Sequence, residues 1–279
     1  MKTARALLLM SVMFTITFPL ASQSLKVMTY NIRLATESDG INAWSKRKER
    51  VFALLQKYSP DLIGVQEAFD HQLSDIITAL PEYAYVGVGR DDGKNGGEFS
   101  ALIYKKSKYK VEEENTFWLS EKPNEPGSKG WDAAYPRVVT WARLKDLETG
   151  KSFLAVNTHF DHVGKEARLN SATIIKDRIQ ELAAGLPVIV TGDFNHERSE
   201  PPYQIMTRKD KVQLIDPAPK DPPGTFCNFG VNAAKCIAID YIYHSTHWRS
   251  KNYTIIRDND GANYPSDHLP VTLEVTAKK

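Results

Sequence analysis

Apolar positions along the chain switch between two periods. Residues 27–32 are β-branched and aromatic, the pattern of a short strand, and after a polar loop Val51, Leu54, Leu55 and Tyr58 recur at helical spacing. Ser59-Pro60-Asp61 stops that helix, and the run Lys46-Arg47-Lys48 with Arg50 is expected on its solvated face. Residues 62–65 read as a second strand, and Leu73, Ile76, Ile77 and Leu80 mark an amphipathic helix ending at Pro81. Strands then dominate: 83–88, 99–104, 138–144 and 153–158. A long helix follows, with Ile174, Ile175, Ile179 and Leu182 on its buried face and Gly185 as its C-cap. Strands at 187–191, 237–243 and 271–275 complete the pattern, with an additional one at 253–256.

Many strands with a few helices among them suit an α/β sandwich, two sheets packed face to face with helices outside. No repeat, low-complexity tract or linker divides the 279 residues, so one domain is expected. The longest stretch without a periodic pattern, 120–136, is the expected functional loop; Trp131 and Tyr135 either stack on a substrate or, the favoured reading, pin the loop to the body.

Composition adds two constraints. Lys2 and Arg5 precede an apolar run at 6–20 followed by small residues, the layout of a secretory signal, so 1–23 is read as a removed leader and 24–279 as the mature domain. No later stretch is apolar enough to span a membrane, which makes a secreted or periplasmic monomer the expectation. In that oxidising setting Cys227 and Cys236 are expected to pair. The net charge of +2, from 36 basic and 34 acidic residues, supplies no global field toward nucleic acid or anionic lipid.

The candidate chemistry lies where polar residues meet strand ends. Asn31, Glu67, His159 and Asp193 each stand at or just beyond the C-terminal end of an apolar strand, and Asp240 interrupts the apolar run "IAIDYIYH". Burying such carboxylates unpaired would cost roughly 3 to 5 kcal/mol, so a cation should compensate. Oxygen-rich ligands select a hard ion, Mg²⁺ or Mn²⁺, with Ca²⁺ also admissible. Singly, each residue has a plainer account: Asn31 in a turn, Glu67 in solvent, Asp193 with Asn195 in an Asx-turn, Asp267-His268 opening the last strand.

Jointly, "VMTYNIR", "LIGVQE", "VNTHFDH", "VIVTGDFN", "IDYIY" and "SDHLPVTLEV" occur in this order. With them the chain resembles the endonuclease/exonuclease/phosphatase superfamily over essentially all of 27–275, in look nearest to secreted bacterial members with a segment like "FWLSE...GWDAAYPRVVTWARL". The resemblance implies a DNase I-like, four-layer sandwich of two mainly antiparallel sheets flanked by helices. It implies a phosphoesterase in which Glu67 with Asn31 binds the metal and Asp267 touches the metal shell. Asp193 would orient and deprotonate the attacking water, and Asn195 would hold water or phosphate. His268, paired with Asp240, would donate to the developing phosphorane charge, and His159 would meet a non-bridging phosphate oxygen. Arg33 stands where some relatives place a carboxylate, which argues against a first site with two carboxylates.

Arg137 and His162 are candidates for substrate binding, while His196 reads as a polar neighbour of the site. Substrate class stays open among nucleic acid, a phospholipid or sphingomyelin headgroup, and a phosphorylated sugar or inositol. The segment "CNFGVNAAKC" is either a membrane-touching element or a stapled hairpin. A binding module without catalysis is the alternative of another class.

Overall fold

The computed structural model describes residues 24–233 and 235–278, so the expected leader at 1–23 lies outside the described residues. Two six-stranded sheets face each other. The first has the order β11-β12-β1-β2-β4-β3, built from β1 (Ser24–Asn31), β2 (Leu62–Gln66), β3 (Tyr83–Val86), β4 (Leu102–Lys105), β11 (Trp248–Ile255) and β12 (Val271–Ala277). The second has the order β5-β6-β7-β8-β10-β9, from β5 (Tyr109–Trp118), β6 (Val138–Asp146), β7 (Ser152–His159), β8 (Val188–Asp193), β9 (Leu214–Ile215) and β10 (Asp240–Ser245). Each sheet contains one parallel pair, β1/β2 and β7/β8, among antiparallel neighbours. Helices α1 (Trp44–Tyr58) and α2 (Asp70–Ala79) cover the first sheet, and α3 (Lys165–Ala183) and α4 (Pro201–Thr207) the second. This is the DNase I-like four-layer sandwich that the motifs imply.

Strand alternation creates the layers. Met28 and Tyr30 of β1 join Val51, Leu55, Leu73 and Ile76 of the helices, whereas Leu25 and Val27 join Ala155, Ile189 and Ile242 of the facing sheet. A polar knot crosses the otherwise apolar interface. Gln66 donates Nε2 to Asn157 Oδ1 at 2.7 Å, Asn157 donates Nδ2 to the carbonyls of Val65 and Ala101, and Thr191 donates to Asn157 Oδ1 at 3.0 Å. Gly64 makes room for it, since a Cβ there would lie 2.0 Å from the Thr191 hydroxyl. The amide nitrogens of the knot are engaged, although Gln66 Oε1 has no hydrogen-bond partner, and the bonds made across the interface favour one register of sheet on sheet.

Several elements depart from the periodic reading. Strand β5 carries Glu112, Glu113 and Glu114 on an exposed edge, where charge blunts strand addition and also erases the apolar signal. The expected strand at 253–256 is the end of the longer β11, and 99–104 narrows to β4, with Phe99 joined only by isolated bridges to Ala68 and Gly89. The short helix α4 carries no long period and was not anticipated. The strand expected over 237–243 begins at Asp240, so this carboxylate opens β10 rather than interrupting it.

Arg47 corrects the reading of its helix. It is fully buried rather than solvated, and its guanidinium donates to the carbonyls of Ile32, Arg33, Asn42 and Pro265 at 2.6 to 3.1 Å. One side chain thereby ties the loop after β1 to the loop before β12.

Candidate active site

Register alone gathers the polar strand ends. His159 is opposite Asp193 across the parallel β7/β8 pair, and Asp193 is opposite Asp240 across the antiparallel β8/β10 pair. In the other sheet Asn31 is opposite Gln66, one residue before Glu67. Three strand exits pass through the left-handed region at residues other than glycine: Arg33 (φ 58), Glu67 (φ 62) and Asn195 (φ 48). Such backbone costs on the order of 1 kcal/mol or more and persists where the surroundings enforce it. Here it turns side chains at the sheet ends into one cleft of about 820 Å³.

Asn31 is the hub. It is buried, and its amide donates to Glu67 Oε1 and to Asp193 Oδ2, each at 3.0 Å. Its Oδ1 accepts the backbone N–H of Arg33 at 3.0 Å, while Glu67 Oε2 accepts that of Leu34 at 3.1 Å. His268 Nδ1 lies 2.9 Å from Asp240 Oδ2, and its Nε2 lies 3.6 Å from Asp193 Oδ2. His159 Nε2 lies 3.5 Å from the same Asp193 oxygen and its Nδ1 3.9 Å from Glu98. Asn195 donates its backbone N–H to Asp193 Oδ1 and its side-chain amide to the carbonyl of Phe160. Ser266 donates to the Asn31 carbonyl, anchoring the loop that carries Asp267.

Electrostatics separates the two imidazoles. Burial opposes charge on His268, but Asp240 and Asp193 raise its pKa well above the ordinary histidine value, so it is held as a cation. Burial, then Arg137 and Arg90, hold His159 well below that value, so it is neutral. Burial and the charge of Asp240 push the Asp193 carboxyl up to about 7, against His268 and Asn31. A carboxylate of near-neutral basicity beside an imidazolium is a competent proton acceptor and donor pair.

Two groups are candidates for a cation. Ligand atoms of Asp193, Asp240 and His268 lie within 4.8 Å of one another. His268 already engages Asp240 through Nδ1 at 2.9 Å, so a cation there would have to displace a proton from the ring; the acidic edge beside it is the other seat. There Glu67 and Asp267 flank Arg33 at 3.8 and 3.9 Å, too far for hydrogen bonds, while Arg33 itself is bonded to Asp39 by two 3.0 Å contacts. Two carboxylates, Asp267 buried and Glu67 half-buried, whose ion pairs with Arg33 are longer than hydrogen bonds, fit a hard divalent ion. Asp267 thus supplies a second acidic group despite the arginine at position 33.

Glu67, Arg137, His159, His162, Asp193, Asn195, Asp267 and His268 line the cleft, while Asn31 and Asp240 stand behind its surface as supports. His196 is not among the lining residues. It is buried between Phe160, Phe194 and Tyr241, as a structural neighbour would be. Tyr135, expected to pin its loop, is instead 50% exposed on the cleft wall. Arg90 and Glu98 also line the cleft and were missed. Their glycine-rich segment "GRDDGKNGGEF" has no period to flag it, though charges set among turn glycines are a weak signal. Cys227 and Cys236 are bonded, and Phe226, Asn228 and Phe229 beside them form an adjoining wall, so the cysteine segment is a stapled loop.

Two facing sheets flanked by helices, with carboxylates and imidazoles meeting at their shared edge, define a protein of the DNase I-like fold class. The chain belongs to the Endonuclease/Exonuclease/phosphatase family, whose model matches residues 28–268. A family protein of known structure from Bacteroides vulgatus is 38% identical, with a TM-score of 0.86 over 92% of this chain and 100% of that one. The Bacteroides thetaiotaomicron mannosyl-6-phosphatase is also 38% identical, with a TM-score of 0.82 over 90% and 99% of the two chains. Nocturnin of Drosophila melanogaster is 22% identical over 97% of this chain, which spans about half of that relative's length (49%).

Proposed function

We propose that the chain is an exported, divalent-metal-dependent phosphoesterase in which water displaces an alcohol from a phosphoryl group. The observation that carries this reading is the Asp193 carboxyl, held 3.6 Å from a His268 ring that Asp240 keeps charged, beside the acidic edge of Glu67 and Asp267. Asp193 orients the attacking water and takes its proton. His268 donates from Nε2 to the charge that grows on the phosphoryl oxygens, and Asp240 fixes its tautomer and charge. His159, held neutral, hydrogen-bonds a non-bridging oxygen, and Asn195 sets Asp193 through its backbone. Arg137 and His162 bind substrate. Glu67, with Asn31 behind it and Asp267 beside it, would hold Mg²⁺ or Mn²⁺, with Ca²⁺ a weaker fit; such an ion supplies Lewis-acid polarisation and stabilises the leaving oxygen.

The likeness to a mannosyl-6-phosphatase and the small net charge favour a small phosphorylated compound over nucleic acid. Among the described residues no helix is long and apolar enough to cross a membrane. Export rests on the leader-like pattern of 1–23 and on the Cys227–Cys236 bond. N-terminal sequencing of secreted protein should begin near residue 24, and intact Met1 in a cytoplasmic pool would end that part. A panel of sugar phosphates, a chromogenic monoester and diester, plasmid DNA, RNA and sphingomyelin, run with and without chelator, tests the whole. Hydrolysis that chelator abolishes and Mg²⁺ restores is expected. Silence on every substrate and metal would leave a binding module.

A further inference from the structure

The cleft has a second set of charged groups that the carboxylate chemistry leaves unused. Arg90 and Arg137 both line it, each more than nine-tenths buried. Arg90 donates Nη1 to Glu98 at 2.7 Å, and Arg137 donates Nε to Asp161 at 3.3 Å, with its Nη2 3.0 Å from His162 Nδ1. Rings join the two cations: the Arg90 guanidinium lies 5.0 Å from the centroid of Tyr135, and Tyr135 stacks on His162 at 6.0 Å. The forks are thus held in place before any ligand arrives, which lowers the cost of binding one.

Each fork nevertheless keeps a buried nitrogen with no hydrogen-bond partner, Nε of Arg90, which lies 3.8 Å from Asp91 Oδ1, and Nη1 of Arg137. Leaving a donor of a buried cation unsatisfied is expensive, and native structures rarely do so without a reason. His162 adds a donor. It is exposed, burial and Arg137 lower its pKa, and an Nδ1 that accepts from Arg137 places its proton on Nε2. Arginine forks match the planar spacing of phosphate oxygens.

These donors bear on substrate class. A phosphomonoester presents three terminal oxygens and about two charges near neutral pH, whereas a diester presents two oxygens and one charge. In a diester, the position of the third oxygen carries a carbon substituent and accepts poorly. We propose that Arg90 and Arg137 form a fork for the third terminal oxygen of a phosphomonoester, so that this cleft takes monoesters in preference to diesters. Tyr135 is the positioning residue that couples the two cations. The inference deepens the phosphoesterase reading and rests on it. In the reaction it selects, water adds to phosphorus, the ester P–O bond breaks, the alcohol leaves with a proton from that water, and orthophosphate remains.

The test compares kcat/KM for 4-nitrophenyl phosphate and its methyl ester in the wild type, Arg90→Gln and Arg137→Gln. Each variant should lose about 10- to 100-fold on the monoester, the span expected for a hydrogen bond to a charged group, and at least about tenfold less than that on the diester. Equal losses on both esters would overturn the fork. Should either glutamine variant fail to fold, Arg90→Lys and Arg137→Lys keep the charge without the fork and should shift the ratio the same way. Calorimetry on wild-type protein needs neither turnover nor a variant: orthophosphate should bind at least about tenfold more tightly than dimethyl phosphate, and equal affinities would refute the proposal. If neither ester is hydrolysed while orthophosphate still binds selectively, the phosphoesterase reading fails and the anion fork stands.

Discussion

The two halves of the cleft are built by different means. The carboxylate half hangs from strand ends in register, with His159, Asp193 and Asp240 opposite one another across β7, β8 and β10, and with Asn31 reaching over from the other sheet. The arginine half comes from connections, with Arg90 in a glycine-rich turn and Tyr135 and Arg137 in the approach to β6. On the proposed function, chemistry that tolerates little displacement sits on the hydrogen-bonded lattice, while the groups assigned to recognition sit on segments that can vary without disturbing it. The comparison predicts that damage to the first half removes turnover and damage to the second shifts preference.

The largest effect should follow from Asp193→Asn, which keeps the shape and removes the basicity. Its kcat should fall by roughly 10² to 10⁴-fold with the melting temperature unchanged or higher, because a buried carboxyl raised toward neutrality is itself destabilising. His268→Ala should cost a comparable factor, and the double variant much less than the product of the two. Asp240→Asn should be a milder version of the His268 change. A folded Asp193→Asn enzyme within about threefold of wild type, a difference under roughly 0.7 kcal/mol, would dissolve the distinction between the halves.

Next in size is Arg47→Met, which leaves four backbone carbonyls without their buried donor and should destabilise by about 3 to 5 kcal/mol in urea melts. Since Arg47 holds the loops carrying Arg33 and Asp267, a stable variant with normal turnover would show that the carboxylate half does not depend on that clamp.

A smaller effect is tied to pH. Burial lowers the pKa of His196 to about 4 in the folded protein, against an ordinary value near 6.5. Below 6.5 the unfolded chain takes up a proton that the folded one refuses, so stability falls as pH drops from 6.5 to 4 and changes no further from this source outside that window. His196→Phe should flatten that slope, by up to about 3 kcal/mol at pH 4. Identical acid melts for variant and wild type would mean that the ring is protonated in place. Smallest is the staple: reducing the Cys227–Cys236 bond, which closes a loop of sequence separation 9, should cost about 2.5 kcal/mol by loop entropy. It should also alter KM more than kcat, since the loop is wall rather than catalyst.

Legibility in the sequence follows the same division. Each carboxylate-half residue lies in an apolar motif at one end of a strand, at or just after the end of β1, β2, β7 and β8 and before or at the start of β10 and β12, so "TGDFN" and "SDH" announce both an element and its chemistry. Apolar periodicity likewise located most of the strands and the three longer helices. It failed at β5, where edge glutamates replace the alternation, and at Arg47, where one cation in a basic run turns inward to carbonyls distant in sequence. It failed again at Arg90, Glu98 and Tyr135, whose roles arise from an ion pair within one aperiodic loop and from ring contacts between loops distant in sequence, which no apolar period encodes.

The central claim is that a hard cation enters at the acidic edge made by Glu67 and Asp267 and that turnover depends on it. Titrating Mg²⁺ and then Mn²⁺ into metal-stripped protein by calorimetry, for wild type and for Glu67→Gln, tests it most directly because the readout is binding rather than activity. We expect one saturable event in the wild type and at least about tenfold weaker binding in Glu67→Gln, with the two melting temperatures close in the absence of metal. Equal affinities for both ions in the two proteins would contradict the account.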